Sequence, residues 1–355
     1  MFLKKIHILR AYIIIMLLLF INIAYLNAQN DNSEEIIILI DMAQKELLKN
    51  NNTDVLRYVN MAFGLNIEDN VQKVSAYLIR SLAYLQEGQL QDALNDINAA
   101  IEINSDYATL YELRAIAYSR MGHHSDALQE INNAIRLDSS PLRFYINRAG
   151  FYMNLDEYQK ALEDCEHILG INPNHARAYA LKAFALSNMN NNQEAIRNIN
   201  HSLNIEPLNG ENHYTRGIIY YNMGDLNNAL DAFNRAIDLA PQNSKYFIAR
   251  ARLYRRIENY LEAINDYTQA IQLNSTNYEL YEDRGICYRE IGDYQSAMLD
   301  FSFYIELNPN NRIIYGFRSI MYERLAEQAE NAAQKEEYLE LSRRDVETYR
   351  RLSGL

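Results

Sequence analysis

The chain has 355 residues, of which 34 are basic and 46 acidic, so its net charge at neutral pH is −12. A surface this acidic repels nucleic-acid phosphates and anionic lipid headgroups, so we expect neither nucleic-acid binding nor peripheral membrane binding. The only cysteines, Cys165 and Cys287, are expected to be small core residues rather than a disulfide pair.

The first 28 residues differ in composition from the rest. Lys4, Lys5 and Arg10 precede a nearly unbroken apolar run over residues 11–26, after which Ala28 leads into polar sequence. This order is typical of a secretory signal peptide, and we expect cleavage after Ala28. Cleavage would remove three basic residues, change the net charge from −12 to −15, and place the mature chain in the periplasm, at the cell surface or outside a bacterium. The alternative is an uncleaved N-terminal membrane anchor, since the apolar run is just short of a span.

Residues 34–69 predict a degenerate N-terminal capping repeat. Its first helix is expected from Glu34 to Lys49, and Val55, Val59 and Ala62 have the apolar spacing of a second helix. This segment is four residues out of register with the repeat that follows. A divergent unit at the end of an array, with one neighbour only, is expected of stacked repeats.

From residue 74 to residue 311 the chain repeats every 34 residues without insertion or deletion. The predicted units are 74–107, 108–141, 142–175, 176–209, 210–243, 244–277 and 278–311. An alanine marks position 20 of each unit: Ala93, Ala127, Ala161, Ala195, Ala229, Ala263 and Ala297. A fixed period of this size predicts stacked supersecondary units instead of one globular core.

Each unit is predicted to be a helical hairpin. Aromatic residues at positions 4 and 11 and a small residue at position 8 share one helix face. Glycine at position 15 of four units ends that helix, and proline at position 32 of four units ends the second. Small residues at positions 8 and 20, such as Gly217 and Ala229, are expected to let the two helices approach closely.

Residues 312–352 predict C-terminal capping helices. Tyr315, Arg318 and Tyr322 continue positions 4, 7 and 11, but Asn331 stands where the next alanine is due. The charged stretch 334–352 is expected to form a long closing helix with a polar outer face.

The pattern resembles the tetratricopeptide repeat (TPR) family, which has period 34, an aromatic residue at position 4, small residues at 8 and 20, Tyr at 11 and Pro at 32. The resemblance implies an all-α fold, an α-solenoid in which helix-turn-helix units form a right-handed superhelix. It also implies a scaffold that binds proteins or peptides without catalysis. Pentatricopeptide repeats, which bind single-stranded RNA, are disfavoured by the invariant 34-residue spacing and the acidic charge.

One basic side chain recurs at position 7: Arg80, Arg114, Arg148, Lys182, Arg216, Arg250, Arg284, and Arg318 in the cap. Five of the seven units carry an acid at position 23, whereas Asn198 and Ala232 take its place in the other two. We favour a structural ion pair repeated along the array. The alternative is a basic stripe that binds an acidic ligand.

In the TPR architecture the first helices line the concave face, where positions 2, 5, 9 and 12 point away from the packed side. The candidate groove residues at these positions are Leu78, Leu82, Ile116, Ile146, Met153, Phe184, Tyr214, Ile218, Tyr221, Lys245, Arg252, Arg255 and Arg289. We expect an extended or helical peptide with apolar anchors and an acidic group near Arg252 and Arg255. Alternatively, curvature of the array buries these residues against neighbouring units.

The resemblance also excludes one familiar TPR function. The clamp for chaperone C-terminal carboxylates needs Lys at position 5 and Asn at position 9, where this chain has Leu78 and Leu82, then Glu112 and Ile116. Catalytic and metal-binding motifs are also missing, and the turn residues His123 and His124 are expected to be solvated, so we expect no enzyme activity, cofactor or metal. The alternative functions are a small-ligand or glycan-binding module in the same groove, or a non-catalytic subunit of an envelope enzyme or signalling complex.

Overall fold

The computed structural model describes residues 31–354, which fold into α-helices joined by short turns. Within these residues no β-strand forms. The predicted signal peptide, residues 1–28, lies outside the described part of the chain. The all-α prediction is confirmed.

The helices alternate along the chain as first and second members of pairs. Two helices precede the repeat: α1 (Asp31–Leu48) and α2 (Asn52–Gly64). The first four repeat pairs are α3 (Asn70–Glu87) with α4 (Leu90–Ile103), α5 (Ala108–Arg120) with α6 (His124–Leu137), α7 (Leu142–Asn154) with α8 (Tyr158–Ile171), and α9 (Ala176–Asn188) with α10 (Asn192–Ile205). The remaining pairs are α11 (Gly210–Met223) with α12 (Leu226–Leu239), α13 (Ser244–Arg256) with α14 (Tyr260–Leu273), α15 (Glu279–Glu290) with α16 (Tyr294–Leu307), and α17 (Arg312–Glu327) with α18 (Ala332–Ser353).

Helix α3 begins at Asn70, four residues before the predicted unit boundary at residue 74. The Asp69 side chain accepts a hydrogen bond of 2.8 Å from the Gln72 backbone N–H and so caps the helix at this earlier point. In five of the other units, the first helix starts at the first residue of the predicted unit.

The described chain forms two compact units, one that ends at Met189 and one that begins at Asn190. In the first, the largest core cluster includes Ile40 of α1, Leu78 of α3 and Leu113 of α5. In the second, the largest cluster surrounds the fully buried Tyr246 and Tyr267.

Both cysteines are free and buried, Cys165 in the first unit and Cys287 in the second. Burial raises the pKa of each thiol to about 12. Because the thiolate is the reactive form, both side chains are unreactive at neutral pH, as expected of core residues.

The position-20 alanines are all fully buried. At the same helix contact, position 8 is glycine in the two units that have phenylalanine at position 24. A β-carbon at Gly217 would lie 2.5 Å from the ring of Phe233, and one at Gly285 would lie 2.8 Å from the ring of Phe301. In three other units alanine at position 8 accompanies a smaller residue at position 24, as in Ala115 with Ile131, whereas Ala251 accompanies Tyr267. In two units, therefore, the missing β-carbon at position 8 makes room for the phenylalanine ring at position 24.

We predict that Gly217→Ala destabilises the protein by about 1–3 kcal/mol, because its methyl group would overlap the Phe233 ring. Adding Phe233→Ile should recover part of this loss, because the double variant reproduces the Ala115–Ile131 combination. Chemical denaturation of both single variants and the double variant measures the coupling. Strictly additive effects would contradict the proposed contact.

Candidate functional site

Four of the position-7 arginines form two parallel hydrogen bonds to the position-23 acid of the same unit. Arg148 Nε donates to Asp164 Oδ2 at 2.9 Å and Nη2 donates to Oδ1 at 2.6 Å. The same two-point contact joins Arg80 to Asp96, Arg250 to Asp266, Arg284 to Asp300, and Arg318 to Asp345 of the capping helix. Arg114 places both donors on one oxygen of Glu130. We call each such pair a rung.

The third donor of each rung reaches the preceding repeat unit. Arg148 Nη1 donates to Asn132 Oδ1 at 2.8 Å, and Arg284 Nη1 donates to Thr268 Oγ1 at 3.0 Å. Hydrogen bonding to Asp164 raises the pKa of Arg148, whereas burial raises the pKa of Asp164 against the opposing hydrogen bond and charge of Arg148. A rung therefore ties two helices of one hairpin to the hairpin before it. The arginines are held inside the protein instead of forming a free basic stripe.

We predict that Arg148→Ala lowers the free energy of unfolding by about 3 kcal/mol, because it leaves the buried Asp164 carboxylate without its charged partner. Adding Asp164→Ala should recover part of the loss, since the double variant no longer buries an unpaired charge. Thermal and chemical denaturation measure both effects. Arg343→Ala, on an exposed side chain of α18, is the control and should change stability by under about 0.5 kcal/mol.

Three candidate groove residues of the first compact unit are not exposed. Leu78, Leu82 and Ile146 are buried, so the prediction that they line an open groove is wrong. Leu78 and Leu82 belong to the core cluster that includes Ile40 of α1 and Leu113 of α5. Apolar residues on successive first helices bury one another, which is the alternative that the sequence left open.

The other candidates in this unit are more accessible. Ile116 and Met153 are half-buried against the core, and Phe184 keeps 39% of its surface exposed. Only Phe184 therefore presents a large exposed apolar side chain among the candidates before residue 190.

In the second compact unit the apolar candidates are half-buried. Tyr214 stacks on Tyr246 with ring centroids 5.3 Å apart, and Lys245 Nζ lies 4.1 Å from the centre of the Tyr214 ring. Burial raises the pKa of Tyr214 to about 12, while the charge of nearby Arg252 opposes this shift. Arg252, on the neighbouring first helix α13, is thus near enough for its charge to act on the Tyr214 phenol. Together with Ile218 and Tyr221, these two residues form what we call the Tyr214–Arg252 face of α11 and α13.

The basic candidates all have acidic partners within the protein. Lys245 Nζ lies 2.8 Å from Glu211 Oε1, and Arg289 Nη2 lies 2.5 Å from Glu290 Oε1. Arg255 pairs closely with Asp283. Arg252 Nε lies 3.8 Å from the same carboxylate and keeps 52% of its side chain exposed. The basic cluster is therefore largely neutralised, and Arg252 is its most accessible cation.

The sequence analysis did not single out Asp283, nor a buried acid in the first unit, Glu112. Arg143 Nε donates to Glu112 Oε2 at 2.9 Å, and Asn147 Nδ2 donates to Oε1 at 2.9 Å. Glu112 is completely buried, and burial raises its pKa to about 7 against the opposing charge of Arg143. The sequence did contain a signal for this pair. Glu112 lies on one first helix, and Arg143 lies about 30 residues later at the start of the next first helix.

A second unpredicted feature is an apolar outer face on α16. Leu299, Phe303 and Leu307 each keep 48% of their surface exposed, at a spacing of four residues. Position 22 is polar in every other unit, and position 26 is polar in every other unit except the first, which has Ala99, so comparing these positions between units would have revealed the apolar face.

Because the folded pKa of Glu112 is raised above its unfolded value of 4.5, the folded state binds more protons between these values. The contribution of this group to stability is present in full below pH 4.5 and is lost as the pH rises towards 7. We predict that, between pH 5 and pH 8, the free energy of unfolding of Glu112→Gln rises by about 1–3 kcal/mol relative to that of the wild type. Chemical denaturation at four pH values tests this, with Glu166→Gln as an exposed control. A pH-independent difference between variant and wild type would contradict it.

Family models of the tetratricopeptide repeat match residues 142–175, 176–207, 211–243 and 248–312, and a TPR repeat model matches residues 82–122. The chain belongs to the tetratricopeptide repeat family. TPR arrays are scaffolds that bind other proteins, so protein binding in general follows for this TPR protein. The family is typically non-catalytic.

Solved structures share the TPR fold at low sequence identity. A tetratricopeptide repeat protein from Parabacteroides merdae is 21% identical with a TM-score of 0.54, over 70% of this chain and 99% of that one. A chain of the APC/C hetero-tetramer Cut9-Hcn1 is 15% identical with a TM-score of 0.59, over 84% of this chain and 58% of that one. At these identities the likeness concerns the fold alone. A comparison with curated protein sequences finds no significant match.

Two further findings concern residues 31–354 only. None of their helices combines the length and apolarity needed to cross a bilayer. They contain no group of three or more His, Cys, Asp or Glu side chains arranged to hold a metal ion.

Proposed function

We propose that this TPR protein binds a peptide segment of another protein on the Tyr214–Arg252 face. The observation that carries the proposal is the exposed guanidinium of Arg252, whose charge acts on Tyr214, together with the half-buried side chains of Tyr214, Ile218 and Tyr221, which pack against one apolar cluster. Apolar side chains that reach the surface beside one accessible charge suit a ligand with apolar anchors and one complementary charge. This face lies entirely within the compact unit that begins at Asn190.

The two tyrosines of this face are held in place by contacts with residues of α13. The Arg256 guanidinium lies 4.7 Å from the centre of the Tyr221 ring, and its Nη1 donates to the Tyr221 carbonyl at 3.0 Å. Tyr214 is held between Tyr246 and the ammonium group of Lys245. Rigid rings lose little conformational entropy on binding, which favours them as anchors for a peptide.

The charge on the face favours a peptide with one acidic residue. Asp283 is shared between Arg255, which contacts it closely, and Arg252, whose Nε is 3.8 Å away. Two guanidinium groups facing one carboxylate leave a positive charge in excess. An aspartate or glutamate of the peptide would therefore pair with Arg252, while Arg255 keeps Asp283 in place.

The proposal also includes export of the chain. Its support is the N-terminal order of basic, apolar and small residues that ends at Ala28. Mass spectrometry of the protein isolated from its native cell would find a mature chain that begins at Gln29. A full-length chain with an intact N-terminus in the cytoplasmic fraction would contradict export.

Selection from a displayed peptide library against the purified protein tests the binding face. We expect the selected peptides to combine apolar residues with Asp or Glu. We expect Tyr221→Ala to lower their affinity at least about tenfold, or ~1.4 kcal/mol. Arg252→Glu should instead select peptides without an acidic residue.

Arg343→Glu provides the matched control, because it makes the same charge change on an exposed side chain of α18. Circular dichroism and thermal denaturation check that every variant is folded. Peptides that bind the wild type, Tyr221→Ala and Arg252→Glu with equal affinity would refute this face as the binding site.

A further inference from the structure

The fifth repeat unit, residues 210–243, keeps the rung arginine but lacks its acid. Arg216 stands at position 7, whereas position 23 is Ala232, which is only 1% exposed. The Nε atom of Arg216 is buried and has no hydrogen-bond partner among the described residues. In the complete rungs this atom donates to a carboxylate oxygen at 2.7–2.9 Å.

The second donor of Arg216 has a substitute partner. Arg216 Nη2 lies 3.3 Å from His213 Nδ1, and His213 Nε2 lies 2.9 Å from the Pro207 carbonyl. Because a carbonyl oxygen only accepts and a guanidinium only donates, Nε2 carries the proton and Nδ1 accepts. His213 is therefore neutral in this arrangement and supplies no negative charge to Arg216.

The surroundings of Arg216 are positive. Burial lowers the pKa of His213, and the charges of Arg216 and Arg235 lower it further. A second cation thus acts on the same site. A buried Nε–H group without an acceptor is costly, because its desolvation is not offset by a hydrogen bond.

The arginine of the fifth unit is half-buried, as the arginines of the complete rungs are. In those, the arginine side chains stay 15–21% exposed although their carboxylate partners are buried. Arg216 falls in the same intermediate class of burial. Part of Arg216 therefore meets solvent, while its Nε atom is buried and lacks the acceptor that an acid supplies in the complete rungs.

We propose that Arg216 binds a small oxyanion, a carboxylate or phosphate, through Nε and Nη2, where the side chain of Ala232 supplies no acid. The planar guanidinium donates two parallel hydrogen bonds that match the two oxygens of such an anion. On binding, Nη2 exchanges its contact with His213 for the anion. The site is separate from the Tyr214–Arg252 face, since positions 7 and 23 lie on the packed side of the hairpin.

The test compares the full chain with Ala232→Asp, which places a carboxylate of the protein at the missing rung. Thermal unfolding is followed in sodium chloride, inorganic phosphate and acetate at equal ionic strength. We expect phosphate or acetate to raise the melting temperature of the wild type relative to chloride. Ala232→Asp should melt higher in chloride and bind the anion at least tenfold more weakly by calorimetry.

Asn227→Asp is the matched control, because it adds the same charge to an exposed position of α12 and should keep the anion effect. Ala232→Asn, which fills the position without a charge, replaces Ala232→Asp if that variant does not fold, and it should also lose the effect. N-acetylaspartate amide distinguishes the source of the anion. Stronger stabilisation by this compound than by phosphate assigns the site to an acidic side chain of a partner, and the reverse assigns it to free phosphate.

Two results would overturn the proposal. One is a wild type whose melting temperature does not differ among chloride, phosphate and acetate at equal ionic strength. The other is an anion effect of the same size in Ala232→Asp and in the wild type.

Discussion

The close approach of the two helices within a hairpin constrains most of this molecule. Each position-20 alanine is fully buried, and where position 24 enlarges to phenylalanine, position 8 shrinks to glycine, as in Gly217 with Phe233. An inserted residue would rotate everything after it by about 100° around the helix axis and remove the small residues from the contact. The strict 34-residue period is the consequence of this packing.

The rungs depend on the same close packing of the two helices within a hairpin. An arginine at position 7 reaches an acid at position 23 because the two helices lie side by side, and its third donor reaches the preceding hairpin. Much of the positive charge of this acidic protein is thereby used inside the fold. A periodic row of basic residues in such a sequence therefore indicates structural ion pairs and not, by itself, a ligand-binding site. Departures such as Ala232 carry more functional information than the row itself.

Binding surfaces arise where the packing rules leave residues free. On the first helices, positions 5, 9 and 12 differ in size and charge from unit to unit, from Leu78 to Tyr214 and Arg252. On the second helices of the seven units, the outer positions 22 and 26 carry large apolar residues only in α16, at Leu299 and Phe303. The family explains protein binding in general, whereas the chemistry of a particular partner depends on these variable positions.

The sequence by itself determined the helix pairs, their turns, the buried positions 8 and 20 and the acids that pair with the arginines in five units. All of these depend on contacts within a single 34-residue hairpin, where spacing alone decides which side chains meet. Only the tertiary structure decided that Leu78 is buried while Phe184 is exposed, and that Arg252 and Arg255 share Asp283. These outcomes depend on side chains of neighbouring hairpins. The repeat places such residues near one another, but their size and charge, not the period, settle which contacts form.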